Sequence, residues 1–228
     1  MGETDAVTSA ESVDRVVEAF RAGRPVLVHD ADDREGETDL IYPAGAVTAD
    51  AVARLRNDAG GLVCVAVADN IAETLELPFA ETALDHPAAA DHDLDYDERS
   101  SFSLPVNHRD TFTGITDEDR SLTITALAEA AVGAREGTYD VDDFAEEFRA
   151  PGHVHLLRGA PRGLAQRRGH TELGLALADA AGLPPAVVVC EMLDDESGRA
   201  LPKAAAREYA ARHDLRYVEG RRLVERLG

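Results

Sequence analysis

The chain has 228 residues, with 44 Asp and Glu against 23 Lys and Arg and a formal net charge of -21. The negative electrostatic field of such a chain repels nucleic acid and anionic membranes, which are therefore disfavoured as partners. Hydrophobic residues make up 44% of the chain, which is enough for a folded core. The acids are spread along the chain, and Lys203 is the only lysine. We interpret this as adaptation to high salt, the alternative being an ordinary acidic cytosolic protein.

Cysteine content and apolar run lengths exclude further classes of protein. The two cysteines, Cys64 and Cys190, each lie in an apolar run, which argues against a disulfide framework and a cysteine-based zinc site. The acidic N-terminus lacks the apolar core of a signal peptide, and no apolar run is long enough to span a membrane. We therefore expect a cytoplasmic protein.

Helical and strand-like patterns alternate through the first half of the chain. The apolar period of residues 12–23 predicts an amphipathic helix. Apolar runs, caps and turn residues predict the elements that follow. These are strands at 25–28 and 40–42, a helix at 48–61 with Thr48 as N-cap, a strand at 61–68, a polar loop at 85–99, and a strand at 101–107 with Pro105 near an edge.

The second half continues this alternation. Thr116 and Asp119 have the spacing of a capping box, so a helix is predicted to follow. The later predicted elements are a helix at 140–150, a strand at 153–157, a helix at 170–182, a strand at 185–193, and a closing helix, strand and helix. The pattern favours one domain spanning 1–228 with an α/β (α+β) fold, a mixed-sheet sandwich with helices on the sheet faces.

Three stretches combine polar side chains with the geometry that a site needs. The first is the acidic run HDADDREGETD, residues 29–39, which lies between two predicted strands. Its carboxylates could bind a divalent cation such as Mg²⁺, and Arg34 could hold an anion. In so acidic a chain, a solvated loop explains the run about equally well.

The second stretch is RRGHTE, residues 167–172, directly before an apolar-periodic helix. Free N–H groups at a helix start attract phosphate, and His170 could face the same place as a base or metal ligand. The residues suited to the phosphate are Arg167, Arg168, Gly169 and Thr171. A capped helix with surface arginines is the alternative.

The third stretch is VVVCEML, in which Glu191 interrupts an apolar strand. A buried carboxylate has a raised pKa and is a candidate general acid or base, whereas a Glu at a strand end can simply face solvent. His153 and His155 alternate on another strand and share a face. Either histidine could be structural.

Together, DREGETD, DAGGLVC, TFTGITDEDR, FRAPGH, RRGHTE and CEM closely resemble, in order and spacing, the motifs of 3,4-dihydroxy-2-butanone 4-phosphate (DHBP) synthase. The resemblance covers nearly the whole chain, and the ordered set is far more specific than any one motif. It implies a DHBP synthase/YrdC-like fold and conversion of ribulose 5-phosphate to DHBP and formate in riboflavin biosynthesis. It also implies Mg²⁺ or Mn²⁺ as cofactor and a homodimer with active sites near the subunit interface.

The resemblance further implies roles for matching positions. Glu35 and His170 match the metal ligands, and His153 and Glu191 match positions essential for catalysis. The positions implied to contact substrate are Arg34, Glu35, Asp39, Thr113, Arg167, Arg168, Gly169, His170, Thr171 and Glu191. Glu37, Cys64 and Thr113 match positions near the site.

The chain departs from many family members in three places. It has REGETD where many bacterial members have RENEGD, a variant similar to the archaeal type, and Arg168 where many have glycine. Its polar loop at 85–99 is longer. No second domain is present, so a fused GTP cyclohydrolase II activity is not expected.

Two other functions stay open from the sequence. A non-catalytic phosphate- or metal-binding protein on the same fold would tolerate loss of Glu35, His153, His170 or Glu191, all of which this chain has. A nucleotide- or RNA-binding protein of YrdC-like fold would need a basic groove, which the net charge of -21 disfavours.

Overall fold

A computed structural model describes residues 13–30, 36–89 and 99–228 of the chain. Arg34 and Glu35, which the sequence predicts as site residues, lie outside the described residues, as does most of the predicted polar loop. Within the described ranges, no helix combines the length and apolar character needed to cross a membrane.

Among the described residues, seven strands form one sheet. They are β1 Val26–His29, β2 Thr38–Pro43, β3 Cys64–Val67, β4 Phe102–His108, β5 Phe148–Arg158, β6 Ala186–Glu191 and β7 Arg216–Glu219. Their order is β4-β5-β3-β6-β2-β1-β7. The pairs β1–β7 and β3–β5 are parallel and the others antiparallel, so the predicted mixed sheet is confirmed.

Helices connect most of these strands. They are α1, described over residues 13–21, α2 Ala49–Asp58, α3 Asp69–Thr74, α4 Ala80–Ala83, α5 Asp117–Glu136, α6 Val141–Glu147, α7 His170–Ala181, α8 Lys203–Arg212 and α9 Gly220–Leu227. The predicted caps are present: Thr48 accepts a hydrogen bond from the N–H of Ala51, and Thr116 accepts one from the N–H of Asp119. The short helices α3 and α4 were not predicted.

Helices cover both faces of the sheet, which explains why its central strands are apolar on both faces over most of their length. Leu40 and Val188 pack in the core cluster that includes residues of α2 and α5. The next residue of each strand, Ile41 and Val189, packs in the other cluster, with α1, α7 and α9. The alternation assigns every position of β2 and β6 to one of these two faces.

The largest difference between predicted and observed boundaries lies where α6 meets β5. The helix predicted at 140–150 ends at Glu147, and the strand predicted at 153–157 begins at Phe148. Phe148 pairs with His108 of β4 and stacks on Phe144, with ring centroids 4.6 Å apart. Sheet pairing and aromatic packing therefore override the local helical pattern.

Candidate active site and metal centre

Two neighbouring strands bring a pair of carboxylates together at one end of the sheet. Asp39 lies directly opposite Glu191 in the antiparallel pairing of β2 with β6. Both share the face of Ile41 and Val189, which α7 covers. Asp39 is fully buried and Glu191 partly so. Like charges directly opposite one another destabilise a sheet, so this pair suits a bound cation or a shared proton.

His170 completes the cluster from the first turn of α7. Its Nδ1 atom lies 3.8 Å from Oδ2 of Asp39. One ligand atom from each of Asp39, His170 and Glu191 lies within 4.8 Å of the others. Carboxylate oxygens with one imidazole nitrogen form a donor set that fits Mg²⁺ or Mn²⁺. His170, the predicted metal ligand, therefore lies beside Asp39, a predicted substrate contact, and Glu191, a predicted catalytic residue. Glu35, the other predicted ligand, is outside the described residues.

Cys64 begins β3 next to this cluster and pairs with Val189 of β6. Burial raises the pKa of the Cys64 thiol well above its usual value, and the nearby Glu191, Cys190 and Asp39 raise it further. The side chain therefore stays a neutral thiol, which suits neither a nucleophile nor a thiolate ligand.

The start of α7 is open to an anion. Gly169 is the N-cap and has no side chain that could cap the first turn of this helix. Thr171 is fully buried, and its Oγ1 has no hydrogen-bond partner among the described residues. A buried hydroxyl without a partner is costly, which marks this place as one that a ligand can complete.

Arg167 is turned inward rather than toward open solvent. Its Nη1 donates to Oγ of Ser101 (2.6 Å) and to Oε2 of Glu172 (3.2 Å). Glu172 also accepts the N–H of Ala160 (3.0 Å). Burial raises the pKa of the Glu172 carboxyl, and the Arg167 charge opposes that rise. Arg168, by contrast, is exposed.

His153 reaches the same end of the sheet from β5. Cys64 of β3 pairs with His155 of β5 and with Val189 of β6. Because β3 runs parallel to β5 and antiparallel to β6, His153 and Glu191 lie two residues from this row in the same direction. Both residues therefore lie toward the same end of the sheet, with His153 just before the part of β5 that pairs with β3.

Thr113 lies on a loop that Asp119 organises. The Asp119 carboxylate accepts the N–H groups of Phe112 (3.4 Å), Thr113 (3.2 Å) and Gly114 (2.8 Å), and also the Thr113 hydroxyl (3.2 Å). These bonds, led by that of Gly114, lower the pKa of Asp119. The predicted capping box is therefore half formed, because the carboxylate serves the loop instead of the N-cap backbone.

Sequence reasoning missed Asn107, the function of the Asp119 carboxylate and the Glu172–Arg167 ion pair. Asp119 and Glu172 do lie inside the motifs TFTGITDEDR and RRGHTE, so polar neighbours of predicted site residues were the available signal.

The fold and this cluster define the class of protein: an α/β protein whose site suits a divalent cation beside an anion-binding helix start. A profile of the family described as 3,4-dihydroxy-2-butanone 4-phosphate synthase matches residues 14–226. The chain therefore belongs to the DHBP synthase family. Members of this family are enzymes of riboflavin biosynthesis that convert ribulose 5-phosphate to DHBP.

Relatives named 3,4-dihydroxy-2-butanone 4-phosphate synthase align with nearly the full chain. That of Methanosarcina mazei is 49% identical, covering 95% of this chain and 91% of the relative. That of Archaeoglobus fulgidus is 50% identical, covering 91% and 90%. These relatives confirm the predicted family and its archaeal type.

Solved structures confirm the predicted fold class. The Candida albicans enzyme has a TM-score of 0.77 at 30% identity, covering 95% of this chain and 97% of that one. A DHBP synthase in complex with two magnesium ions has a TM-score of 0.74 at 29% identity, covering 93% and 94%.

Proposed function

We propose that this chain splits ribulose 5-phosphate into DHBP and formate at the cluster of Asp39, His170 and Glu191. The observation that carries the proposal is the approach of their ligand atoms to within 4.8 Å, next to an uncapped helix start. Glu35 and His170 are the proposed metal ligands, and the magnesium complex of the related structure supports Mg²⁺ as the ion. Mn²⁺ stays a prediction. When bound, the cation would withdraw electrons from vicinal oxygens of the sugar.

The chain's own residues would move the protons of the reaction. A base removes the C3 proton, and an acid helps to expel the C1 hydroxyl as water. The carbon skeleton then migrates, and a water is taken up as C4 leaves as formate, so that atoms balance. Glu191 and His153 are the proposed proton carriers, since they lie toward the same end of the sheet.

The α7 start is the proposed site of the substrate phosphate. The N–H groups of Gly169 and Thr171 at the helix start, together with the Thr171 hydroxyl, would bind its oxygens. The exposed Arg168 would add charge directly. Glu172 and Ser101 already bind the Arg167 guanidinium. We therefore propose that Arg167 fixes the conformation of the segment before α7 and adds positive charge near the phosphate.

The proposal is tested by formate release from ribulose 5-phosphate at molar salt, with Mg²⁺, with EDTA, and with Glu35→Ala. We expect formate with Mg²⁺ only, and none from the variant. Binding of ribulose 5-phosphate without any formate, by folded protein at every salt concentration, would instead establish the non-catalytic alternative.

Replacing Thr171 by Val should weaken substrate binding while stabilising the fold. The variant removes a buried hydroxyl that has no partner in the described part of the chain, so the free energy of unfolding should rise by about 1 kcal/mol. The KM for ribulose 5-phosphate should rise about tenfold with a smaller change in kcat.

Thr125→Val is a matched control, because the Thr125 hydroxyl donates to the carbonyl of Ser121 within α5. It should leave KM unchanged and bring no gain in stability. An unchanged KM for Thr171→Val would show that the Thr171 hydroxyl does not bind the substrate phosphate.

The enzyme is also proposed to be a homodimer, with the loop before α5 in the interface. Phe112 is 94% exposed and Ile115 is 50% exposed, although Asp119 holds this loop firmly. A rigid loop that presents an aromatic ring to solvent is typical of a protein interface. The cytoplasmic location and the salt adaptation stay predictions.

Replacing Phe112 by Ser should weaken the dimer by about 30-fold or more, as expected for loss of a central aromatic anchor. Sedimentation velocity across protein concentrations measures the dissociation constant. Leu84→Ser is the control, since Leu84 is also well exposed, at 61%, but lies at the end of α4 and outside the loop before α5. A wild-type protein that sediments as a monomer would contradict the homodimer.

A further inference from the structure

The pairing of β4 with β5 is interrupted just before His153. Consecutive residues Val106 and Asn107 of β4 pair with Val154 and Arg149 of β5. Residues 150–153 of β5 therefore fall between two consecutive ladder pairs. A histidine in such an irregular segment needs another contact to fix its backbone and ring.

Asn107 supplies that contact with its side chain. Its Oδ1 accepts the backbone N–H of His153 at 2.8 Å. A backbone N–H can only donate, so this bond determines which end of the amide is oxygen. The amide nitrogen Nδ2 then lies 3.1 Å from Nδ1 of the His153 ring, whereas Oδ1 lies farther from it, at 3.3 Å.

We propose that Asn107 is a positioning residue that fixes neutral His153 in the tautomer with its proton on Nε2. Because Nδ2 of Asn107 can only donate, Nδ1 of His153 must be the acceptor of the shorter contact. The single proton of the neutral ring is then on Nε2.

The surroundings hold the Asn107 amide in this orientation. Asn107 is only 4% exposed. Gly114 packs directly against it, and a Cβ added at Gly114 would lie 2.0 Å from the amide nitrogen. Gly114 has a positive φ of 87° and donates its N–H to Asp119 at 2.8 Å. The organised loop before α5 thus reaches His153 through the Asn107 amide.

The consequence for chemistry is that His153 offers an N–H from its exposed side. The ring would donate a proton or hydrogen bond through Nε2, while Nδ1 stays engaged by Asn107. This consequence rests on the proton-carrier role proposed for His153, whereas the tautomer itself does not depend on catalysis.

Nitrogen-15 NMR of the full chain, labelled in its histidine rings, tests the tautomer directly. The His153→Gln variant assigns the His153 signals among the eight histidines. At a pH where the ring is neutral, we expect Nδ1 without a proton and Nε2 with one. A proton on Nδ1 in the wild-type protein would overturn the proposal without any variant.

Asn107→Asp is the decisive variant because it replaces the donor Nδ2 by an acceptor and keeps an acceptor for the His153 backbone N–H. We expect a proton on Nδ1 in this variant, and kcat lower by about 10- to 100-fold with little change in KM. An unprotonated Nδ1 in the folded variant would overturn the proposal.

Asn57→Asp is the matched control, since Asn57 is exposed at the end of α2. It should leave both the His153 spectrum and the activity unchanged. If Asn107→Asp shifts the tautomer while formate release is unaffected, His153 is positioned as proposed but is no proton carrier. That result would count only against the proton-carrier role of His153, because formate release itself would be intact.

Discussion

Glu191→Gln is expected to lower kcat for formate release by about 10³-fold. The amide has almost the same shape but carries no charge and cannot exchange protons as a carboxylate does. Glu191 ends β6 opposite Asp39, and one of its carboxylate oxygens lies within 4.8 Å of a ring nitrogen of His170. The variant therefore removes a charge from the centre of the site. Formate production at saturating ribulose 5-phosphate is the measurement.

Glu219→Gln is the matched control for this prediction. Glu219 is also the last residue of its strand, but β7 is an outer strand of the sheet, and Arg207 and Arg221 bind this carboxylate. Exposed ion pairs contribute little, so this variant should keep nearly full activity. Equal activities of the two variants would show that the Glu191 carboxylate has no role in the reaction.

Asp39→Asn is expected to abolish the stabilisation of the protein by Mg²⁺. A ligand at 100 times its dissociation constant stabilises a protein by about 2.7 kcal/mol, which raises Tm by about 5–10 °C in a chain of this length. Asp39 is buried beside His170 and Glu191, so loss of its charge removes one of three converging groups. Formate release should be lost together with the rise in Tm that Mg²⁺ causes.

Thermal unfolding at fixed molar salt, with Mg²⁺ or with EDTA, measures this effect. Asp179→Asn serves as the control, because Asp179 is exposed near the end of α7 and should leave the Mg²⁺ shift intact. A full Mg²⁺ shift in Asp39→Asn would show that the Asp39 charge does not help to hold the cation.

Much of the fold could be predicted because local patterns and tertiary packing agree there. The apolar period of α7, ended by Gly182 in a left-handed conformation, is an example, and the valine-rich run of β6 is another. The ordered motifs then predicted the family, which the profile match confirms.

The assembly of the site could not be predicted from such patterns. That Asp39 faces Glu191 depends on the register of β2 with β6, strands separated by most of the chain. The hold of Asn107 on His153 depends on an irregularity in β5, and the inward turn of Arg167 depends on the buried Glu172. Each needs a contact that no spacing in the sequence encodes.

The most direct measurement of the central claim is the fate of ¹³C in ribulose 5-phosphate labelled at C4, with the purified protein, Mg²⁺ and molar salt. The account predicts that the label appears in formate, in amounts equal to the unlabelled DHBP formed, and that EDTA prevents both. Folded protein that binds the labelled sugar phosphate in Mg²⁺ but releases no labelled formate would contradict it.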